Sequence, residues 1–316
     1  MKVLVIFTGG TIGSTLKNGY IGTDDGAKYA LLSPFCDEKD VEFETFCPYT
    51  ILSENLGAKE LNILQSAVSK GLEKGFDGII VTHGTDTLQY SAAALSLAFG
   101  DSEKPIVLVS SAYPLDDERA NGYENFKAAL EFIRRKISGG VFVSYKNEGD
   151  TKTALHHASK LLLHAEGQAD LESIDKSPFA LFDGKKFEIF STAQKNAPIG
   201  TVEYVENPGI LLVSSHPADD FSHYSLDGVR AVILNPYHSA TLATANEGLK
   251  SFCQRAKDAD IPVFVSGMRK DAGYESTRLF EKLGITPLPY GTLVFSYMKI
   301  WAAISKNEDP RCAFCL

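Results

Sequence analysis

Two stretches of this 316-residue chain set hydroxyls among glycines at the end of an apolar run. The first is Phe7-Thr8-Gly9-Gly10-Thr11-Ile12-Gly13-Ser14; the second is Val81-Thr82-His83-Gly84-Thr85-Asp86-Thr87-Leu88. Glycine lets the backbone take unusual angles and lets a ligand come close, so a threonine beside it offers an accessible hydroxyl. Such a hydroxyl attacks a carbonyl carbon only when a base relieves it of its proton. The first stretch reads equally as a structural strand–helix turn. It is not a phosphate loop, because neither G-x-G-x-x-G nor G-K-[ST] is present. In the second stretch, Asp86 or Thr87 stands where a helix cap is needed. Alternatively, Thr85 and Asp86 face the crevice of Thr11, where helix N-terminal amides favour a carboxylate or an oxyanion.

A base is available in principle. Lysine serves when a desolvated site lowers its pKa. Lys152, in Asp150-Thr151-Lys152-Thr153, follows another apolar run and reaches the same rim; the alternative is a solvated surface charge. His156 and His157 are adjacent, so their side chains diverge on any regular element and do not form a metal pair. Cys312 and Cys315 form a C-x-x-C without a second pair nearby, which reads as two incidental thiols. No metal and no cofactor is expected, and His83 reads as a structural hydrogen-bonding residue.

The elements that must hold these residues are legible as period and length. Val3–Phe7, Gly78–Thr82, Pro105–Ser110 and Gly140–Tyr145 are apolar on consecutive residues, as in strands buried on both faces of a parallel sheet. Ala58–Lys74, Asp86–Phe99 and Glu118–Ile137 carry helical stripes between them. This alternation predicts an α/β layered fold, with active residues at the carboxyl ends of the strands. The pattern loosens from 165 to 197, apart from one strand at Phe187–Phe190. It resumes with strands Gly209–Ser214, Ala231–Pro236 and Pro262–Gly267 and helices Glu247–Asp258, Tyr274–Leu283 and Leu293–Lys306. The predicted division is an N-terminal catalytic domain at 1–185, a linker at 186–207 and a smaller C-terminal α/β domain at 208–316.

Composition narrows the class. Hydrophobic residues make up 44% and charged residues 22%, as in ordinary globular proteins. A net charge of -9 argues against nucleic acid as a partner and against an anionic membrane surface. The five scattered cysteines suit a reducing compartment. The run MKVLVIF is too short for a signal-peptide core, so a cytoplasmic location is expected.

Taken as a pair, T-G-G-T-I at Thr8–Ile12 and H-G-T-D-T at His83–Thr87 resemble the signature of the bacterial-type L-asparaginase/glutaminase family, and its cytoplasmic (type I) members in particular. Asn18-Gly19-Tyr20-Ile21 is similar to the family's segment carrying a catalytic tyrosine. Ser111–Leu115, Thr151-Lys152, Gly267-Met268 and Gly273-Tyr274 are similar to further family segments. The resemblance implies a two-domain, mostly parallel α/β fold that hydrolyses L-asparagine to L-aspartate and ammonia without a cofactor. It implies that Thr11 attacks the amide carbon and that Tyr20 helps activate it. Thr85, Asp86 and Lys152 then form a second polar triad, with Lys152 relaying the proton. Ser53 takes the substrate α-carboxylate and Asp86 its α-amino group.

One departure concerns specificity. Leu52-Ser53-Glu54 stands where the family often has Asp-Ser-Gln or Asp-Ser-Ser, so a carboxylate is lost at Leu52 and one is gained at Glu54, beside the amino-group pocket. The resemblance also implies a homodimer or homotetramer, with Tyr237 and His238 as candidates to complete a neighbour's site. Two other readings stand beside it: a glutaminase-type ammonia donor, and a silent amino-acid-binding relative. The ammonia-donor branch tends to carry an extra N-terminal domain, and with the first motif at Thr8 none is expected here.

Overall fold

In the computed structural model the described residues are 1–17, 20–23, 30–191, 198–268 and 273–314, with 16, 17, 20, 21 and 23 given by backbone alone. Two compact units divide the chain, Met1–Val202 and Glu203–Leu316.

The first unit is built on ten strands: β1 Lys2–Phe7, β2 Ser14–Lys17, β3 Tyr20–Thr23, β4 Glu42–Phe46, β5 Gly78–Thr82, β6 Pro105–Val109, β7 Gly140–Tyr145, β8 Thr153–His157, β9 Ala180–Phe182 and β10 Phe187–Ile189. Eight of them form one sheet in the order β10-β9-β8-β7-β6-β5-β1-β4, while β2 and β3 pair with each other. The stretch from β4 to β7 is parallel. The stretch from β7 to β10 is antiparallel. Parallel neighbours need long crossovers, which helices supply. These are α1 Ala58–Glu73, α2 Leu88–Phe99 and α3 Gly122–Arg134.

The consecutive apolar residues of the central strands serve two cores. Val3, Val5 and Phe7 of β1 pack on the α3 side with Phe126, Ala129, Leu130 and Ile133. Leu4 and Ile6 pack on the other side with Leu64 and Val68 of α1 and Leu88, Ala92 and Leu95 of α2. Each such side chain contributes about 1.5–3 kcal/mol when fully buried. The sheet is therefore a rigid base for whatever stands at its carboxyl edge.

The second unit carries the parallel sheet β11-β12-β13-β14, made of Ile210–Ser214, Ala231–Asn235, Val263–Val265 and Ile285–Pro287. Its helices are α4 Glu247–Asp258 and α5 Leu293–Ser305. Asn246 caps α4 by accepting from the amides of Gly248 and Leu249, and Thr292 caps α5 by accepting from the amide of Phe295.

Three details depart from the sequence reading. The helix expected at Tyr274–Leu283 is only a 3-10 turn at Glu275–Leu279, followed by β14. Tyr274 and Leu279 are exposed and only Phe280 nearby is deeply buried, so no apolar stripe exists to hold a longer helix. Strands β2, β3, β4, β8 and β9 are absent from that reading; β8 ends in two histidines, and β9 lies in the stretch without clear period. The expected helix over Glu118–Ile137 is narrower, Gly122–Arg134. No helix among the described residues is long and apolar enough to cross a membrane.

Candidate active site

Strands β1 and β5 are neighbours in the sheet and parallel, so both glycine-bearing stretches leave it at the same edge. They touch there. Gly10 has φ 77°, and a Cβ on it would collide with the Cα and N of Gly84. A Cβ on Gly84 would in turn collide with the side chain of Ser53. Gly9, with φ 104°, is pressed against the backbone of Ile51. Only glycine permits these approaches, and they bring the Thr11 turn, the Thr85 turn and the Ser53 segment into one place. Backbone bonds fix the arrangement: the Gly10 amide donates to the Ile51 carbonyl at 2.9 Å, and the Ile51 amide donates to the Thr8 carbonyl at 3.1 Å.

Thr11 begins the 3-10 turn Thr11–Gly13 and is half-buried. Ser14 closes this turn by donating its hydroxyl to the Gly10 carbonyl at 2.7 Å. Strand β3, which opens with Tyr20, packs back on the same turn. Asn18, Gly19 and Cys315 lie outside the described residues. Ser53 is buried in the 3-10 turn Ser53–Asn55 and donates to Asp86 Oδ2 at 3.4 Å. Thr87 sits at the α2 N-cap position, yet its hydroxyl donates to the Ser53 carbonyl at 2.7 Å and not to the helix. Asp86 and Glu54 are exposed, and Thr85 is half-buried.

Behind this front a row of side chains joins the strand ends. Thr8 donates to the Thr82 carbonyl at 2.7 Å, Ser110 to the His83 carbonyl at 2.7 Å, Asn125 to the Ser110 carbonyl at 2.9 Å and Ser144 to the Asn125 carbonyl at 2.8 Å. His83 is part of this framework. Its Nδ1 lies 2.8 Å from the Gly84 carbonyl, which only accepts, so Nδ1 carries the proton and Nε2 accepts from the Ser91 hydroxyl at 2.8 Å. Burial lowers the His83 pKa, which keeps the ring neutral. This matches its expected structural role.

Lys152 is placed differently. It precedes β8, three strands from β5 in the sheet order. At about 4.8 Å per strand that is roughly 14 Å, beyond the reach of a lysine side chain. Its Nζ is engaged with Glu188 Oε2 of β10 at 2.9 Å, on the side away from β5. The structure therefore brings Thr11, Ser53, Thr85 and Asp86 together and leaves Lys152 out of the group. His156 and His157 do diverge, as adjacent strand residues must: one meets the Ser173 hydroxyl at 2.8 Å, the other the Ser191 hydroxyl at 3.4 Å. Burial lowers both to about 4.

Thr85 and Asp86 open on a cleft of about 480 Å³, closed on its other side by the segment Leu163–Ala169. His164 is in that wall. Its Nδ1 lies 2.8 Å from the Asp170 carbonyl, so the proton sits on Nδ1 and Nε2 offers its lone pair. That Nε2 is sealed from solvent and has no hydrogen-bond partner among the described residues. The sequence reading did not single out His164, since a lone histidine in a stretch without period carries no signal. A second cleft of about 250 Å³ shares Ala169 and is lined by Tyr113, Arg119, Asn121, Tyr145 and Asp170.

A group of carboxylates and imidazole elsewhere comes close enough to hold a cation: Asp219, Asp220 and His223, with ligand atoms within 4.8 Å of one another. Its oxygens already close local turns, Asp219 accepting from the Phe221 amide and the Tyr224 hydroxyl and Asp220 from Ser222.

Residues 2–195 match the family model described as "Asparaginase, N-terminal". Among curated relatives, a subunit of glutamyl-tRNA(Gln) amidotransferase from Sulfolobus acidocaldarius is 27% identical, over 98% of this chain and 72% of its own length. The protein of the same name from Methanosarcina mazei is 29% identical, over 90% of this chain and 69% of its own. Among solved structures, the thermostable L-asparaginase from Thermococcus kodakarensis superposes with a TM-score of 0.81 at 20% identity, covering 100% of this chain and 96% of that one. L-asparaginase I from Vibrio cholerae gives 0.79 at 20% identity, covering 99% and 95%. At that identity these two bear on the fold, and they match it end to end.

Proposed function

The chain belongs to the asparaginase family, and from that premise we propose that it is an amidohydrolase converting L-asparagine and water to L-aspartate and ammonia. The observation that carries this reading is the contact of Gly10 with Gly84 and of Gly84 with Ser53, which sets two threonines, a serine and a carboxylate at one sheet edge. Thr11 attacks the side-chain amide carbon. The C–N bond breaks, the nitrogen leaves with a proton as ammonia, and an ester to Thr11 remains. Water then attacks the ester from the Thr85 side and restores the Thr11 hydroxyl. Tyr20, on the strand that packs on the Thr11 turn, helps activate the nucleophile. Ser53 takes the α-carboxylate and Asp86 the α-amino group, with Glu54 a second carboxylate toward that ammonium. The relay expected of Lys152 has no geometric support and is not carried forward.

Ammonia release from asparagine and glutamine, measured side by side, tests this. Thr11→Ala is expected to lower the rate by at least about 10³-fold. Equal rates for the variant and the wild type would show that Thr11 is not the nucleophile.

A second reading has its own support in the relatives named as subunits of a glutamyl-tRNA(Gln) amidotransferase. In it the same site frees ammonia from an amide for transfer to a glutamyl-tRNA. Those names weaken the argument from net charge against nucleic acid, and the exclusion is withdrawn. Ammonia release that rises on addition of glutamyl-tRNA and a partner protein would favour this reading; release from asparagine alone at full rate favours the first. The assembly proposed is a homodimer or homotetramer in the cytoplasm, and a monomer at working concentration by sedimentation would contradict it.

A further inference from the structure

We propose that His83 is a positioning residue: from inside the core it sets the direction of the Gly84–Thr85 peptide and so presents the Thr85 amide to the substrate. This rests on the amidohydrolase reading above. Three observations converge. The His83 ring is buried, and its Nδ1–H donates to the Gly84 carbonyl at 2.8 Å. The ring cannot turn over without losing a second bond, because Nε2 accepts from the buried Ser91 hydroxyl of α2 at 2.8 Å. The Gly84–Thr85 peptide is trans, and in a planar trans peptide the carbonyl and the following N–H point in opposite directions. A carbonyl drawn inward to His83 therefore turns the Thr85 amide away from the ring, at a residue that lines the cleft. No acceptor meets that amide among the described residues.

The need for such a restraint follows from the contact at the sheet edge. Glycine is required at position 84 because the Ser53 side chain stands where a Cβ would go. Glycine also leaves its own backbone angles almost unrestrained, so the peptide after it turns easily. The bond from His83 supplies the restraint that a side chain would have given. Its use is chemical. When Thr11 attacks the amide carbon, the carbonyl oxygen carries negative charge until the C–N bond breaks and the proton given up by Thr11 leaves on the nitrogen. An N–H already aimed at that oxygen stabilises the charge with no reorientation, and one such donor is worth about 10²–10³-fold in kcat. A flipped peptide would present the Gly84 carbonyl oxygen there, which repels the same charge.

Variants of the full chain test it with L-asparagine as substrate. His83→Leu keeps much of the bulk and has no donor; His83→Asn keeps a donor nitrogen bonded to Cγ, as Nδ1 is. His83→Leu is expected to lower kcat by about 10²-fold with a smaller change in KM, and His83→Asn to stay within about tenfold of the wild type. Ser91→Ala leaves the Nδ1 bond in place and should cost less than His83→Leu. Nuclear magnetic resonance of the wild type should find the ring proton on Nδ1. Adding the product L-aspartate, whose side-chain carboxylate takes the place of the amide, should shift the Thr85 amide resonance, and in His83→Leu that response should disappear. An undiminished kcat in a folded His83→Leu overturns the proposal. So do equal losses in His83→Leu and His83→Asn, which would mark a packing role. If neither variant folds, the wild type decides: a proton on Nε2, or a Thr85 amide indifferent to L-aspartate, overturns it. A wild type that frees no ammonia from asparagine or glutamine sinks the amidohydrolase reading and this proposal with it, whereas the wrong tautomer or a silent amide in an active enzyme sinks this proposal alone.

Discussion

The glycine-bearing edge of β1 and β5 and the turn between β7 and β8 lie on the same side of one sheet, yet they are built in opposite ways. At the first, Gly10 has φ 77° and is jammed against Gly84. At the second, Gly149 has φ 78°, and the space where its Cβ would stand is open. One glycine is required by backbone angle and by contact, the other by angle alone. The polar groups follow the same division. The hydroxyls of Thr8, Ser14 and Ser53 are buried. Lys152 and Glu188 meet in solvent, with side chains 39% and 55% exposed. The difference teaches where precision is kept: short side chains on touching backbones cannot wander, whereas a long side chain on an open turn goes to whichever partner lies nearest.

The largest effect should come from filling the contact. Gly10→Ala is expected to lose about 3 kcal/mol or more of stability and nearly all activity, because both φ and the Gly84 backbone oppose a Cβ. Gly149→Ala, with the same φ, should cost only about 1 kcal/mol and leave turnover intact. Denaturant midpoints of the two variants decide it, and equal losses would erase the distinction.

A second, intermediate effect lies inside β8. His156 and His157 have folded pKa values of about 4, below the ordinary 6.5, because burial penalises the charged ring. The unfolded chain therefore binds protons that the folded chain refuses as pH falls from 6.5 toward 4. Their contribution to stability is complete above that window and is lost going down through it, by roughly 3 kcal/mol per imidazole at most. Unfolding midpoints against pH should fall less steeply in His157→Phe; an unchanged slope would show that the ring is not held neutral.

The smallest effect belongs to the exposed pair. Lys152→Met and Glu188→Gln should each shift stability by less than about 1 kcal/mol, as surface ion pairs do. Their double-mutant cycle in stability and ammonia release sharpens the contrast, and a large coupling in turnover would place the pair at the chemistry after all.

What could be read from the sequence follows this same division. Val3–Phe7 and Gly78–Thr82 were legible as buried strands because burial on both faces demands unbroken apolar runs. Gly10 and Gly84 were legible because a tight turn leaves few other residues acceptable. Lys152 was not, since its direction depends on the β7–β8 hairpin, and β8 carries Ala154, Leu155, His156 and His157 in no recognisable period. Thr87 was read as one of two candidate caps for α2. It occupies the cap position, but its bond to the Ser53 carbonyl ties two loops together, a long-range use that local spacing does not disclose.

The row of bonds from Thr8 to Thr82, from Ser110 to His83, from Asn125 to Ser110 and from Ser144 to Asn125 has a consequence for how the site is lost. Each link joins one strand or helix end to the next, so the row crosses β1, β5, β6, α3 and β7 in series. Local fraying at any one position must break bonds that neighbouring elements also share. Amide protons along this edge should then exchange with solvent only through the global opening of the unit, and inactivation by heat should track its melting in place of preceding it. The site is in that sense a selvedge, woven by the same threads as the cloth, and it does not unravel first.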